Sequence, residues 1–376
     1  MLLYLITFAV AIGFAFCSDL CQRQIAVAKR ELAGRDLWNA VTAAKIGKNV
    51  FLLCSAAVLI LLSGLRYDTG VDYYYSYVPS LETVRAGSAS HYDPLFNFII
   101  ACFARLQDNQ WFFAAMALYT VGMIYFGICR RSEYIAIPVA LYLVSFNYLR
   151  SFCFVAQYVA LATFFVGFTA LLKKKWIPAA ILIVLAVLLH QSAIIVVPFV
   201  LMYFMRTRWM MVVSILLPVF ALLGQGAVRV IFVMFGSGTR FDYYFGSEYD
   251  MGYVDNTLIL INFAVFAMFL FVYYMTQAYR EHDRNLSFYM LAQSFALSFS
   301  LLQSVIPLGY RFVWFFMFLQ CLSIPLFLKR MFSGAEYYVM NLVIIVLFLA
   351  WMIMYPLQGT SNVLPYHPIF DPMSSY

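Results

Sequence analysis

Long apolar runs alternate with short charged clusters along the whole chain. The longer runs cover residues 2–16, 50–65, 111–129, 134–149, 152–172, 209–223, 258–275, 286–307, 312–328 and 339–355. A helix rises about 1.5 Å per residue, so most of these runs approach or reach the ~30 Å thickness of a hydrocarbon core. Three runs are shorter, at 94–106, 177–189 and 193–204. The last two lie between two basic clamps, Lys173-Lys174-Lys175 and Arg206-Thr207-Arg208, and only His190-Gln191-Ser192 separates them. Each spans roughly 20 Å, short of a full crossing. The stretch from Lys173 to Arg208 therefore reads as a hairpin of two short helices that rises from the cytoplasmic face and returns. Its tip holds His190 below the outer surface, with Ser192 as the expected cap of the returning helix.

The charged clusters set the expected sidedness, because lysine and arginine favour cytoplasmic loops. Residues 18–49 become a cytoplasmic loop, with Ile25, Ala28 and Leu32 giving it an amphipathic helix on the membrane surface. Residues 66–93 and 225–257 become two long external loops. Four apolar runs lie between the first of these and Lys173, and four full crossings would leave the lysines outside. If 94–106 dips in and returns, both Arg130-Arg131 and Lys173–Lys175 fall inside. The expected fold is an all-α polytopic integral membrane protein with about twelve transmembrane helices, one short re-entrant helix and two long external loops. It forms a single transmembrane domain over 1–376, with both termini outside.

Composition agrees with the pattern and narrows the function. The chain is 65% hydrophobic and 11% charged, which excludes an ordinary soluble domain. Its net charge of +7 gathers at helix ends, so nucleic acid is not an expected partner. The seven cysteines lack metal-ligand spacing and read as free thiols. Charges follow the first apolar run instead of preceding it, so that run reads as an anchor and not as a cleaved signal.

This topology puts every lysine on the cytoplasmic side and leaves only arginines outside or in the re-entrant segment: Arg66, Arg85, Arg105, Arg150, Arg229, Arg240 and Arg311. Guanidinium presents a planar fork of donors that suits phosphate oxygens, so the set reads as an outward-facing anion site. For any single arginine, snorkelling or pairing with a loop carboxylate is the plainer role. Asp68 and Asp72 either share a helix face or are turned apart by Gly70. Either arrangement offers carboxylates for sugar hydroxyls, for a metal, or for deprotonating an acceptor. Tyr73 and Tyr74 fit sugar stacking or an interfacial belt. Asp93-Pro94 opens the re-entrant run as an N-cap pair. His190 is an ionisable side chain at membrane depth, either a satisfied structural histidine or a base. No P-loop, zinc motif or Gly-x-Ser-x-Gly elbow is present.

A resemblance rests on Gly70-Val71-Asp72 followed by tyrosine, Asp93-Pro94-Leu95-Phe96, Asn147 with Arg150, His190-Gln191-Ser192-Ala193, Tyr310-Arg311 and Pro365-Tyr366. In that order they resemble the EpsG family, which groups with the Wzy-type polymerases of bacterial surface polysaccharides, over about residues 66–366. The chain departs where Ser151 follows Arg150, since the family usually has Gln there and the nearest glutamine here is Gln157. Asp93 also stands where members often carry Glu. The resemblance implies a GT-C-like, metal-independent and cofactor-free membrane glycosyltransferase. It would join oligosaccharide repeat units carried on undecaprenyl pyrophosphate at the periplasmic face. A flippase, a chain-length regulator and membrane lipid are the expected partners. The implied roles are base for His190 with Asp72 and Asp68, pyrophosphate contacts for Arg66, Arg150, Arg240 and Arg311, and sugar contacts for Tyr73, Tyr74, Asp93, Gln157 and Tyr310. Alternatives are a flippase for the same lipids, a polyprenyl-phosphate-sugar glycosyltransferase using a loop aspartate and a divalent metal, and an acyltransferase using His190.

Overall fold

The computed structural model describes residues 1–370 apart from 239–241, 248, 249, 251 and 253. It is helical throughout, with one two-residue β-ribbon, and divides into two compact units. The first holds Met1–Gln191 and Leu342–Tyr376, and the second Ser192–Asn341.

The first unit begins with two long antiparallel helices, α1 (Leu2–Glu31) and α2 (Gly34–Gly64). At about 1.5 Å per residue each is roughly 45 Å long, which exceeds a bilayer core. This corrects the expected loop at 18–49. That stretch continues the two helices, and only Leu32 and Ala33 break them, because its Ala, Lys, Arg and Gln are strong helix formers. Asp19 on α1 accepts from the backbone N–H groups of Ile135 and Ala136 at 2.7 and 2.9 Å, so a buried carboxylate anchors the start of a later helix. After α2 come strand β1 (Arg66–Tyr67), a π-helical turn (Tyr73–Tyr77), α3 (Val78–Arg85), the short α4 (Pro94–Ala104) and α5 (Gln110–Arg131). Then come α6 (Ala136–Val144), α7 (Asn147–Cys153), α8 (Val155–Leu172) and α9 (Trp176–Leu189). Every residue of α8 is buried, as a largely apolar sequence requires at the middle of a bundle.

In the second unit a 3-10 turn (Gln191–Ile195) leads to α10 (Val196–Leu201), α11 (Thr207–Leu223), α12 (Gln225–Gly236) and α13 (Asn256–Met275). The one-turn α14 (Ala278–Glu281), α15 (Arg284–Leu301), α16 (Tyr310–Met317) and α17 (Gln320–Met331) follow. Helix α15 is the buried one here, and its polar side chains bond to its neighbours. Gln293 donates to the Asn262 backbone oxygen at 2.9 Å, Gln320 donates to Gln293 Oε1 at 2.9 Å, and Asn262 donates to Ser300 Oγ at 3.0 Å. The last helix, α18 (Gly334–Leu357), starts in the second unit and enters the first from Leu342 on.

Among the described residues, six helices are long and apolar enough to cross a membrane, or up to nine if each bent pair is one span. The bent pairs are α6 with α7 (51°), α11 with α12 (89°) and α16 with α17 (48°). This is fewer than the expected twelve or so. Helix α9 and the segment Gln191–Phe204 are short, and the serines and Gln293 dilute the apolar character of α15. The long loops are also more structured than expected, since 66–93 holds β1, the π-helical turn and α3, and 225–257 begins with α12.

Candidate functional site

The break expected at residue 190 is present, and a carboxylate meets it. Helix α9 ends at Leu189, and His190 leaves it in an extended conformation (φ −155°, ψ 116°). Asp93 caps α4 by position, with Pro94 at N1, and its backbone oxygen takes the first helical bond from Asn97 N at 2.8 Å. Its side chain does not complete the expected cap. The carboxylate Oδ2 lies instead 3.2 Å from His190 Nδ1. The imidazole is 20% exposed and the carboxylate 7%, so the pair sits at the edge of the packed interior. With Nδ1 at 3.2 Å from a carboxylate oxygen, Nε2 is the ring nitrogen suited to take a proton.

Asn97, one turn into α4, fixes the strand that delivers Asp93. Its amide donates to the backbone oxygens of Tyr92 (2.6 Å) and Ser90 (3.3 Å), while its Oδ1 accepts from Tyr92 N (3.2 Å) and from Ser90 Oγ. Tyr92 stacks on Tyr77 at 5.6 Å and packs on Phe96 at 5.1 Å. An aromatic floor thus runs from the π-helical turn to the dyad.

A second arrangement lies at the other end of that turn. Strand β1 pairs antiparallel with β2 (His367–Pro368), with Arg66 opposite Pro368 and Tyr67 opposite His367. The tail is fastened further by Gly70 N to Asn362 O (2.9 Å), Val71 N to Ser361 O (3.2 Å), and the Cys153 thiol to Ser361 O (2.7 Å). Tyr4 donates to Val363 O and Tyr366 to Leu62 O, at 2.7 and 2.9 Å. Burial pushes the Tyr366 phenol up to about 12, so it remains a donor at neutral pH. Gly70 turns the chain between Asp68 and Asp72, the second of the two expected arrangements. Its φ is +99°, and a Cβ there would meet Phe152 O at 2.7 Å, so both backbone and space call for glycine.

The expected arginines prove unequal. Arg66 is fully buried between the rings of Phe113 and Phe152 (5.0 and 4.9 Å), and its guanidinium donates to the backbone oxygens of Ser63 and Phe152. As placed, it braces the ribbon. Arg150 is also buried, over Phe146, Trp351 and Tyr355 at 4.9, 5.3 and 5.7 Å. Arg85 caps the end of α4 through Ala104 O and Leu106 O. Arg229 grips Asp250 with both nitrogens, at 2.6 and 2.5 Å. Arg105 is exposed, and Arg311 opens α16 beside Tyr310 in the second unit. Arg240 lies outside the described residues.

Among the sugar candidates, Tyr73 is buried and stacked on Phe113 at 4.1 Å, whereas Tyr74 is 41% exposed. Gln157 is buried in α8. Ser192 is no cap: it lies inside the 3-10 turn, and Ile195 takes the N-cap of α10. Sequence reasoning missed Asn97 and His367. Asn97 carries no local signal, and His367 acquires meaning only through a pairing some three hundred residues distant along the chain.

Compared with known proteins, the chain matches the model of the EpsG family over residues 49–367, a span that takes in the dyad and the Tyr67–His367 pair of the ribbon. No curated protein matches it, and no solved structure does.

Proposed function

The chain belongs to the EpsG family, which is associated with polysaccharide polymerase-type proteins, and from that premise we propose that it polymerises lipid-linked oligosaccharide repeat units on the periplasmic side of the inner membrane. The carrier is undecaprenyl pyrophosphate. The observation that carries the reading is the 3.2 Å approach of Asp93 Oδ2 to His190 Nδ1.

In the proposed reaction Asp93 holds the imidazole in the tautomer with its proton on Nδ1. His190 Nε2 takes the proton of an acceptor sugar hydroxyl as that oxygen attacks the anomeric carbon of the donor chain. The bond between that carbon and the pyrophosphate oxygen breaks, and the bonding pair leaves with undecaprenyl pyrophosphate. The imidazolium then gives its proton to water. Negative charge develops on the leaving group, and guanidinium groups are the natural stabilisers. Arg150 lies in the same unit as the dyad and is the candidate, and it reaches pyrophosphate only if its aromatic cage opens. Asp68 and Asp72 bind sugar hydroxyls and do not act as the base.

Purified protein supplied with lipid-linked repeat units is expected to give a ladder of longer glycans, unchanged by a chelator. A ladder abolished by chelator and by Asp72→Asn, yet intact in His190→Ala, selects the metal-dependent glycosyltransferase instead. No ladder from wild type with intact substrate overturns the polymerase reading.

A further inference from the structure

The β-ribbon carries a second carboxylate and a second imidazole, beside two tyrosines. Tyr67 and Tyr74 meet edge to face at 6.0 Å, and the Tyr74 hydroxyl donates to the Tyr67 hydroxyl at 2.6 Å. Asp68 follows Tyr67 at the surface with φ +40°, a left-handed conformation that is strained for a non-glycine residue. Thr69 holds it there: its hydroxyl donates to Tyr67 O at 2.9 Å and accepts from His367 N at 3.2 Å. His367 stands directly opposite Tyr67 in the antiparallel pair, so the two side chains share a face of the ribbon. Its imidazole acts on the Asp68 carboxylate against the effect of burial, which raises that group. Tyr75, next along the turn, is 83% exposed.

Protein sugar sites combine an aromatic face, which takes the apolar C–H side of a pyranose, with carboxylate or imidazole groups that bond its hydroxyls. We propose that Tyr67, Asp68, Tyr74 and His367 form a carbohydrate subsite that holds the sugar chain of the incoming repeat unit. The reading rests on the polymerase assignment for its substrate class. The subsite lies one helical turn from Tyr77, whose ring stacks on Tyr92, the neighbour of Asp93. The proposal also gives the C-terminal tail a purpose, because it delivers His367 and closes the ribbon beneath Asp68.

The test uses the full-length protein in detergent and, as probe, the host's own repeat-unit oligosaccharide released from its lipid by mild acid. Saturation-transfer NMR should show binding to wild type and to His190→Ala, and at least tenfold weaker binding to Tyr74→Ala and to His367→Ala. In the ladder assay the same two variants should raise the KM for fresh lipid-linked unit with little change in kcat. His367→Gln, which keeps a hydrogen-bonding side chain, should recover most of the binding. Equal binding by wild type, Tyr74→Ala and Asp68→Asn, with all three well folded, overturns the subsite and leaves the polymerase reading standing. Weakened binding in the variants with no ladder from wild type does the reverse.

Discussion

The two units place their polar side chains in opposite ways. In the second, Gln293 and Asn262 lie mid-helix, Gln320 starts α17 and Ser300 stands near the end of α15, all buried and hydrogen-bonded among themselves. In the first, α8 is largely apolar, with Gln157, Thr163 and Thr169 buried along it, and a further set of polar groups gathers at a rim made by the starts of α4 and the π-helical turn, the end of α9 and the returning tail. A buried hydrogen-bonded network holds helices together in an apolar surrounding and offers little to a substrate. A rim of carboxylates, imidazoles and partly exposed tyrosines is held from behind and faces outward. Within one membrane protein, a polar residue answered by buried neighbours therefore reads as structure, and one at a partly exposed rim reads as chemistry.

The largest effect that can break this contrast is at the dyad. His190→Ala should lower polymerisation at least about a hundredfold, the usual cost of removing a general base, while melting behaviour stays close to wild type. Asp93→Asn should lower it by a smaller factor and shift the pH profile of the rate. A His190→Ala protein with full activity removes the chemical half of the comparison.

Gly70→Ala comes next. The added Cβ meets the Phe152 carbonyl, and φ +99° is unfavourable for alanine, so stability should fall by about 1–3 kcal/mol. The measurement is a thermal melt, with activity per folded molecule reduced as the ribbon loosens. Gln320→Leu should cost about 1 kcal/mol by removing donors from Gln293 and Asn262, with activity per folded molecule unchanged. Lost activity at full stability would mean that the second unit's network does more than hold helices.

The smallest effect concerns Asp250. The Arg229 guanidinium holds its carboxyl below the usual range. The stability this supplies is complete above the ordinary carboxylate value of about 4 and is lost as pH falls through the lowered one. Melting of wild type should therefore decline faster than that of Asp250→Asn below roughly pH 4, by under about 1 kcal/mol.

Much of the fold was legible in the chain. Apolar runs marked the spans, Lys173–Lys175 marked a turn, and His190-Gln191-Ser192 marked a break, because burying a polar step in lipid requires a reason. Asp93-Pro94 announced a helix start, and α4 starts there. Residues 18–49 misled, because polarity suggested a loop where helix propensity carried α1 and α2 onward. The arginines are told apart only by the tertiary structure, because charge along a sequence does not say which guanidinium will find a backbone carbonyl or an aromatic sandwich.

Hydrophobic periodicity and charge clustering are local, so the chain alone fixed a helical membrane protein, its breaks and its basic ends. Pairing is not local. Only the tertiary structure decided that Asp93 faces His190 across ninety-odd residues, and that His367 returns to Tyr67 from the far end of the chain. Those contacts depend on how helices of given length pack around α8, and no short stretch of sequence carries that information.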